Sequence, residues 1–522
     1  MPQKEVMARL RVWLTEHAGG DVTCIETHIS WVLLTADRAY KVHRAVNLGF
    51  VDFTSLAFRL QDTLAEYQLN RRSAPDLYLG VWALRSEGLG ITLAKVDPQA
   101  PPVPGKNDIE YVLEMRRFDP GQRFDELLSH GQLTPALIDA LADALVGFHQ
   151  RCEVVRDPEL TNVADLQQGI ADNVKAVLDM STESTERAVL QQHQKWLTVQ
   201  SSRWHTRMAQ RVEAGLLRDA HGDLHLQNIC RFQGQVTLFD CLEFSPRLRC
   251  IDLMNDLGFL IMDLQAREAP RLAWRLLNRY LEQTGDYAGV ALLRYFMAYR
   301  AMVRIKVALL SPNHAHTAYL RLVRCLMQTP MRALIITHGL SGSGKTTVTH
   351  GLVETLGAIR LRSDVERQRL FGRQAAGRSQ RYTPETTEQI YTHLASQAKD
   401  LLVSGHIVVV DATFLSRSQR DRFRAVARCC EVPFVILHCQ ADNAILHDRV
   451  EARVQAGHDA SEADTAVLDA QLRHDEPLGA DELADAITLQ TAQPRETWYQ
   501  PATWQPLLAH LGLSERALPL MC

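Results

Sequence analysis

The sequence predicts two fold classes in one chain. Residues 1–329 are expected to form an α+β unit, with a small β-rich lobe before a larger helical one, and residues 330–522 a parallel α/β sheet. Three observations carry this. Strand-like runs cluster before residue 116, and helical periodicity dominates from about residue 124. From Ala333 onward, apolar runs alternate with helical segments, the order expected of a parallel sheet with crossover helices. A helical stretch, His316 to Met327, ends at Thr329-Pro330, and proline after a helix is a common stop.

Taken in order, the chain opens on an amphipathic helix with Val6, Leu10, Trp13 and Leu14 near one face. Ile29–Leu34 and Ala39–Val42 read as strands around a turn at Ala36-Asp37-Arg38. A helix is expected over 55–72 and strands at Tyr78–Leu84 and Tyr111–Met115, with a proline-rich loop at Asp97–Pro104. One loop-and-strand region, 221–244, interrupts the helices that follow. In the second part, strands are expected at 333–338, 407–411 and 434–439, and helices at 345–356, 384–403, 417–429 and 442–455.

Composition narrows the class. The 522 residues are 46% hydrophobic and 23% charged, which excludes disorder as the dominant state. A net charge of −4 excludes a strongly basic chain that coats nucleic acid or anionic lipid. No apolar run approaches the roughly 20 residues of a membrane span, and no signal-type leader is visible, so a cytoplasmic protein with no membrane partner is expected. The ten cysteines include no C-x-x-C pair, which argues against a zinc ribbon, and a disulfide framework is not expected.

Gly339-Leu340-Ser341-Gly342-Ser343-Gly344-Lys345-Thr346, followed by Thr347, fits G-x-x-x-x-G-K-[ST] between an apolar strand and a helix. Glycines let backbone N–H groups curl around phosphate oxygens, and the helix N-terminus adds partial positive charge. Lys345 is expected at the β/γ-phosphates of ATP or GTP, and the Thr346 hydroxyl on Mg2+. Asp411 ends the apolar run Ile407–Val410, as a metal-holding Walker-B carboxylate does.

Asp364 and Arg367 share a face at a helix start. Here the sequence resembles P-loop kinases of the polynucleotide-kinase and zeta-toxin type. The resemblance implies Asp364 as general base and Arg367 as substrate clamp. Arg449 and Arg453, four apart on a helix, resemble that group's lid over the phosphates. Residues 360–428 carry 13 Lys/Arg against 7 Asp/Glu, including Arg417, Arg420, Arg422 and Arg424, which suits an anionic substrate.

In the first part, His221-Gly222-Asp223 through Asn228 fits H-x-D-x-x-x-x-N, and Asp240 closes the next apolar strand. One loop can thus present a carboxylate to an acceptor hydroxyl while Asn228 and the strand-end Asp240 offer oxygens to Mg2+. These residues resemble the aminoglycoside phosphotransferase family, which has a bilobal protein-kinase-like fold. The resemblance implies Asp223 as base, Asn228 and Asp240 as metal ligands and His221 as a structural member of the loop. It also implies Lys41 as the nucleotide lysine and Glu66 as its ion-pair partner, and Asp252 and Asp256 as scaffold. The sequence departs from the kinase pattern at Ile29-Ser30-Trp31, where a glycine-rich loop is expected.

The whole chain resembles bacterial two-domain proteins that pair these two kinase types. The implied activity is a Mg2+- and ATP- (or GTP-) dependent phosphotransferase with two nucleotide sites and a small-molecule hydroxyl acceptor. The alternatives are a single active P-loop kinase beside a non-catalytic kinase-like domain, a nucleic-acid 5′-hydroxyl kinase, which is not favoured, and a nucleotide-dependent switch.

Overall fold

The computed structural model describes residues 2–18, 20–47, 52–87, 90–310, 316–372, 383–456 and 463–513. The chain divides into two compact units, one of residues 1–162 and 210–256 and one of residues 163–209 and 257–522. The expected boundary at 329–330 therefore falls inside the second unit.

The first unit holds a six-stranded antiparallel sheet. Its strands are β1 (Thr23–Glu26), β2 (Ser30–Leu34), β3 (Arg38–His43), β4 (Tyr78–Glu87), β5 (Gly90–Lys95) and β6 (Asp108–Arg116), in the order β1-β2-β3-β6-β4-β5. Alternation along the strands sorts the side chains into two cores. Val42, Leu84 and Val112 pack with Val6, Leu10 and Leu14 of the helix Gln3–Ala18. Val81, Ala83, Tyr111 and Leu113 pack with Leu60 and Leu64 of the helix Leu56–Asn70. That helix starts where the Ser55 hydroxyl accepts the Phe58 amide at 3.1 Å. The edge strand β1 is exposed throughout and β5 buries only Ile91 fully, and the sequence reading placed no strand at either.

The rest of the unit includes the helices Phe124–Ser129, Pro135–Arg151 and Pro158–Thr161 and four short strands, β7 (Leu217–Asp219), β8 (Ile229–Phe232), β9 (Gln235–Leu238) and β10 (Cys250–Asp252). β7 pairs with β10, and β8 with β9. Gln233 and Gly234 turn the β8–β9 hairpin with φ of 49° and 80°, the left-handed pair that a two-residue hairpin turn requires.

The second unit holds a five-stranded parallel sheet made of β11 (Ala333–His338), β12 (Ile359–Arg362), β13 (Ile407–Asp411), β14 (Phe434–Gln440) and β15 (Ala486–Gln490). Their order is β12-β13-β11-β14-β15. β11 and β13 are buried throughout, as strands covered on both faces must be. The expected strands at 333–338, 407–411 and 434–439 are these three central ones. Trp498, Trp504, Leu507 and Leu508, from the C-terminal segment, close the core over the helix Lys345–Leu356.

The helix Pro270–Thr284 belongs to the same unit and packs on β12 and the helix Lys345–Leu356. The Asn278 side chain accepts the Arg360 amide at 2.7 Å and donates to the Ala358 carbonyl at 2.9 Å. Arg275 pairs with Glu354 at 2.7 Å.

Among the described residues no helix is long and apolar enough to cross a membrane. Cys24, Cys152, Cys230, Cys241, Cys250, Cys429, Cys430 and Cys439 carry free thiols.

Candidate functional sites

The loop 339–344 leaves β11 and enters the helix Lys345–Leu356. Gly342 and Gly344 have φ of 82° and 81°, conformations that suit glycine. A Cβ on Gly342 would lie 2.7 Å from the Leu446 carbonyl oxygen, so the bare backbone there is a packing requirement too. A cleft of about 1310 Å³ opens over this loop. Ser341, Gly342, Gly344, Lys345, Thr346 and Thr347 line it, whereas Gly339, Leu340 and Ser343 do not.

Lys345 is half-buried, and its ammonium donates to the Leu340 carbonyl at 2.7 Å. Burial pulls its pKa below the ordinary lysine value, with Asp411 opposing. The β12–β13 register sets Arg362 beside Asp411, and its Nε lies 3.7 Å from the Asp411 carboxylate. Thr349, which the sequence reading did not single out, reaches Asp411 at 3.4 Å and the Thr346 carbonyl at 3.2 Å.

Asp364 and Arg367 line the same cleft from the helix Ser363–Phe371. Arg362 is that helix's N-cap residue, so Asp364 sits inside the first turn and is not the cap. Arg449 and Arg453 line the cleft from the helix Asn443–Ala456. Arg449 donates to the Gly342 carbonyl at 3.2 Å and the Thr491 carbonyl at 2.6 Å, and Arg453 to the Ala463 carbonyl at 2.8 Å. Gln471, whose side chain accepts the Ser341 amide at 2.8 Å, and Thr491 were invisible in the sequence because only tertiary contact brings them to the loop.

The positive stretch needs correction as a substrate signal. Arg420 is buried in a pair with Glu482 at 2.7 Å. Arg417 and Arg424 meet Asp481 at 2.8 and 3.3 Å, and Arg422 pairs with Glu388. Acidic residues, most of them from 481–485, occupy these cations, while Arg373, Arg378 and Arg381 lie outside the described residues.

The second constellation is assembled in the first unit. Lys41 on β3 donates to Glu66 at 2.8 Å and to Asp240 at 3.3 Å. Burial alone would lower Lys41, but Asp240 and then Glu66 outweigh it and hold the ammonium well above its ordinary value. Burial opposes ionisation of Glu66 too, yet Lys41 and His43 hold its carboxyl below the usual range.

The side-chain amide of Asn228 donates to the Asp223 carbonyl at 2.9 Å and its carboxylate at 3.1 Å. Asp240 has a φ of 60°, an uncommon backbone for a non-glycine residue, and Tyr78 Oη accepts its amide at 3.1 Å. Asp256 ties the loop down by accepting the amides of His221 and Gly222, each at 3.1 Å, and contacting His149 at 3.1 Å. His221 Nε2 lies 3.0 Å from the Phe239 carbonyl, which fits a structural part. Asp252 does not reach the loop as expected. Its carboxylate is taken by Arg211 at 2.6 and 2.7 Å and by the Met254 amide.

At the place of a glycine-rich loop, the β1–β2 turn is closed by reciprocal Thr27–Ser30 bonds of 2.8 to 3.0 Å. Sequence reading also missed Glu243, three residues past Asp240 and 9% exposed. Burial and then Glu66 push its carboxyl well above the usual range.

Both constellations suit the groups their motifs imply. The first offers a backbone cradle that a Cβ would fill, beside a hydroxyl and a carboxylate. The second offers an amide and a carboxylate beside a paired lysine.

A family model described as an AAA domain matches residues 334–478, the P-loop part of the second unit. Uncharacterised proteins of Mycobacterium tuberculosis and Mycobacterium bovis are 28% identical over 460 residues, covering 85% of this chain and 89% of theirs. Among solved structures, a choline/ethanolamine kinase family protein from Mesorhizobium loti aligns at 13% identity, 63% of this chain, 96% of its own and a TM-score of 0.39. A sugar kinase from Janibacter aligns at 22% identity, 36% of this chain, 98% of its own and a TM-score of 0.27. The Mycobacterium tuberculosis APS kinase, in complex with AMPPNP and APS, aligns at 19% identity, 35% of this chain, 99% of its own and a TM-score of 0.27. The family match and the loop 339–346 together give the chain a P-loop domain toward its C-terminus.

Proposed function

We propose that the chain is an ATP- (or GTP-) and Mg2+-dependent phosphotransferase with two nucleotide sites, each moving a terminal phosphoryl group onto a hydroxyl of a small molecule. The observation that carries this is the convergence of Lys345, Thr346, Asp411, Asp364 and Arg367 on one cleft. In this reading the acceptor oxygen bonds to the γ-phosphorus as the bridging β–γ P–O bond breaks. Asp364 takes the hydroxyl proton, Lys345 meets the phosphate charge, and Arg367 holds the acceptor. Arg449 and Arg453 stabilise charge on the moving group. Thr346 and Asp411 would hold Mg2+, whose chemistry is to neutralise phosphate charge.

In the first unit the same parts fall to Asp223 as base, Lys41 as phosphate lysine held by Glu66, and Asn228 with Asp240 as metal ligands. A second reading keeps the P-loop kinase and makes the first unit a non-catalytic binding module. The glycine-free turn closed by Thr27 and Ser30 favours it, because that turn lacks the backbone freedom of a phosphate-covering loop. A nucleic-acid acceptor is disfavoured, since the arginines of 417–424 are spent on internal carboxylates.

Calorimetric titration of the full chain with ATP and Mg2+ tests this, with Asp240→Ala and Lys345→Ala beside it. Two binding events, each lost with its own variant, are expected. One event lost only with Lys345→Ala selects the second reading, and no binding overturns both. Asp223→Ala and Asp364→Ala then report which site turns over.

A further inference from the structure

We propose that His43, Asp62, Glu66 and Glu243 form a binding site for a tetrahedral divalent transition-metal ion of the Zn2+ kind, built at the Glu66 oxygen that Lys41 does not use.

His43 Nε2 stands 3.2 Å from Asp62 Oδ2 and 3.4 Å from Glu66 Oε2. Ligand atoms of His43, Glu66 and Glu243 all lie within 4.8 Å of one another. His43 is 1% exposed and Glu66 fully buried, yet the approaches of His43 Nε2 to Asp62 Oδ2 and Glu66 Oε2 lack the angles of a hydrogen bond, and neither these atoms nor His43 Nδ1 find another partner. Buried polar atoms are seldom left so, and here three of them converge without the geometry that an N–H donor needs.

The two separations from His43 Nε2, 3.2 and 3.4 Å, suit coordination instead. Four ligands about 2.0–2.1 Å from a tetrahedral centre lie roughly 3.3 Å from each other. One imidazole with carboxylates is a donor set that zinc accepts, whereas Ca2+ and Mg2+ take oxygen. Charge points the same way. His43 lies against Asp62 and Glu66, and Lys41 against Glu66 and Asp240, so three carboxylates face a single lysine ammonium and a dication would balance them. Phe53 packs on the His43 ring, with centroids 4.7 Å apart, and helps screen the site from water.

The site shares neither Asn228 nor Asp240 with the nucleotide metal. It joins β3, the helix Leu56–Asn70 and the segment after Asp240, so the ion would act as a positioning element for the Lys41–Glu66 pair.

The test uses full-length protein without nucleotide, loaded with zinc sulfate in excess Mg2+, desalted and assayed for bound metal. Wild type and Asp240→Ala should each retain about one zinc per chain, while His43→Gln and Glu243→Gln should bind it about tenfold more weakly or worse. Zinc should raise the Tm of wild type by more than that of either variant. Co2+-loaded wild type should show tetrahedral ligand-field bands that Glu243→Gln abolishes. Wild type that keeps no zinc overturns the proposal, as does full retention by both variants, which would place the metal elsewhere. If His43→Gln does not fold, Glu243→Gln decides alone.

Discussion

Glu282 accepts two hydrogen bonds from the Arg360 guanidinium, at 2.6 and 3.0 Å, and so fastens the helix Pro270–Thr284 to β12 of the parallel sheet. The same carboxylate meets Arg362 at 3.3 Å, and Arg362 in turn lies beside Asp411 in the P-loop cleft. Burial would favour the neutral acid, but Arg360 and Arg362 hold Glu282 below the ordinary carboxylate range. A residue well upstream of Pro330 thus positions two arginines of the P-loop part.

Glu282→Ala should leave Arg360 buried without its carboxylate. Breaking such a pair costs about 3 kcal/mol. The urea midpoint of the second unit should fall accordingly, and ATP affinity at the P-loop should weaken with it. An unchanged midpoint would show that the pair is not part of the fold's support. A fragment beginning at Pro330 lacks Asn278 and Glu282 and should be less stable than the same segment in the full chain.

Gly342→Ala tests the phosphate cradle. The new Cβ meets the Leu446 carbonyl at 2.7 Å, and the residue must keep a φ of 82°. Alanine in that conformation costs about 1 kcal/mol before the clash is counted. The loop and the helix Asn443–Ala456 must separate, loosening the Arg449–Gly342 bond. We expect P-loop nucleotide affinity to fall by about tenfold or more. Unaltered affinity by calorimetry would mean that the loop tolerates the shift.

Asp256→Ala addresses the other loop. It strands two buried amides, of His221 and Gly222, and removes the His149 contact. Each buried donor left without an acceptor costs about 1–3 kcal/mol. Hydrogen exchange at 221–228 should accelerate while exchange in the P-loop segment is unchanged. Equal protection in both proteins would refute the supporting part assigned to Asp256.

His193 provides a pH signature. It is fully buried, neither ring nitrogen has a hydrogen-bond partner, and burial lowers its pKa to about 4. The unfolded chain binds this proton near pH 6.5 and the folded chain only near 4, so stability drains away as pH falls between these values. At pH 5 the loss is about 2 kcal/mol, and at pH 7.5 it vanishes. His193→Leu should flatten this part of the stability profile. An identical pH slope in both proteins would show that His193 does not stay neutral.

What could be read from the chain alone was whatever is written in local order. The loop 339–346 and the H-x-D-x-x-x-x-N loop are contiguous, because each uses one stretch of backbone to place several atoms, so their spacing was legible. The buried strands β11, β13 and β14 were legible for a related reason: both faces are covered, so their apolar runs are unbroken. β1 and β15 were not, since edge strands need no such run. The pairing of Lys41 with Glu66 is made by the packing of the helix Leu56–Asn70 on the sheet that carries β3. The consumption of Arg417, Arg420 and Arg424 by residues 481–485, the hold of Glu282 on β12 and the convergence of His43, Asp62, Glu66 and Glu243 join residues far apart in sequence. Such contacts leave no periodic trace, because their partners are chosen by packing in three dimensions.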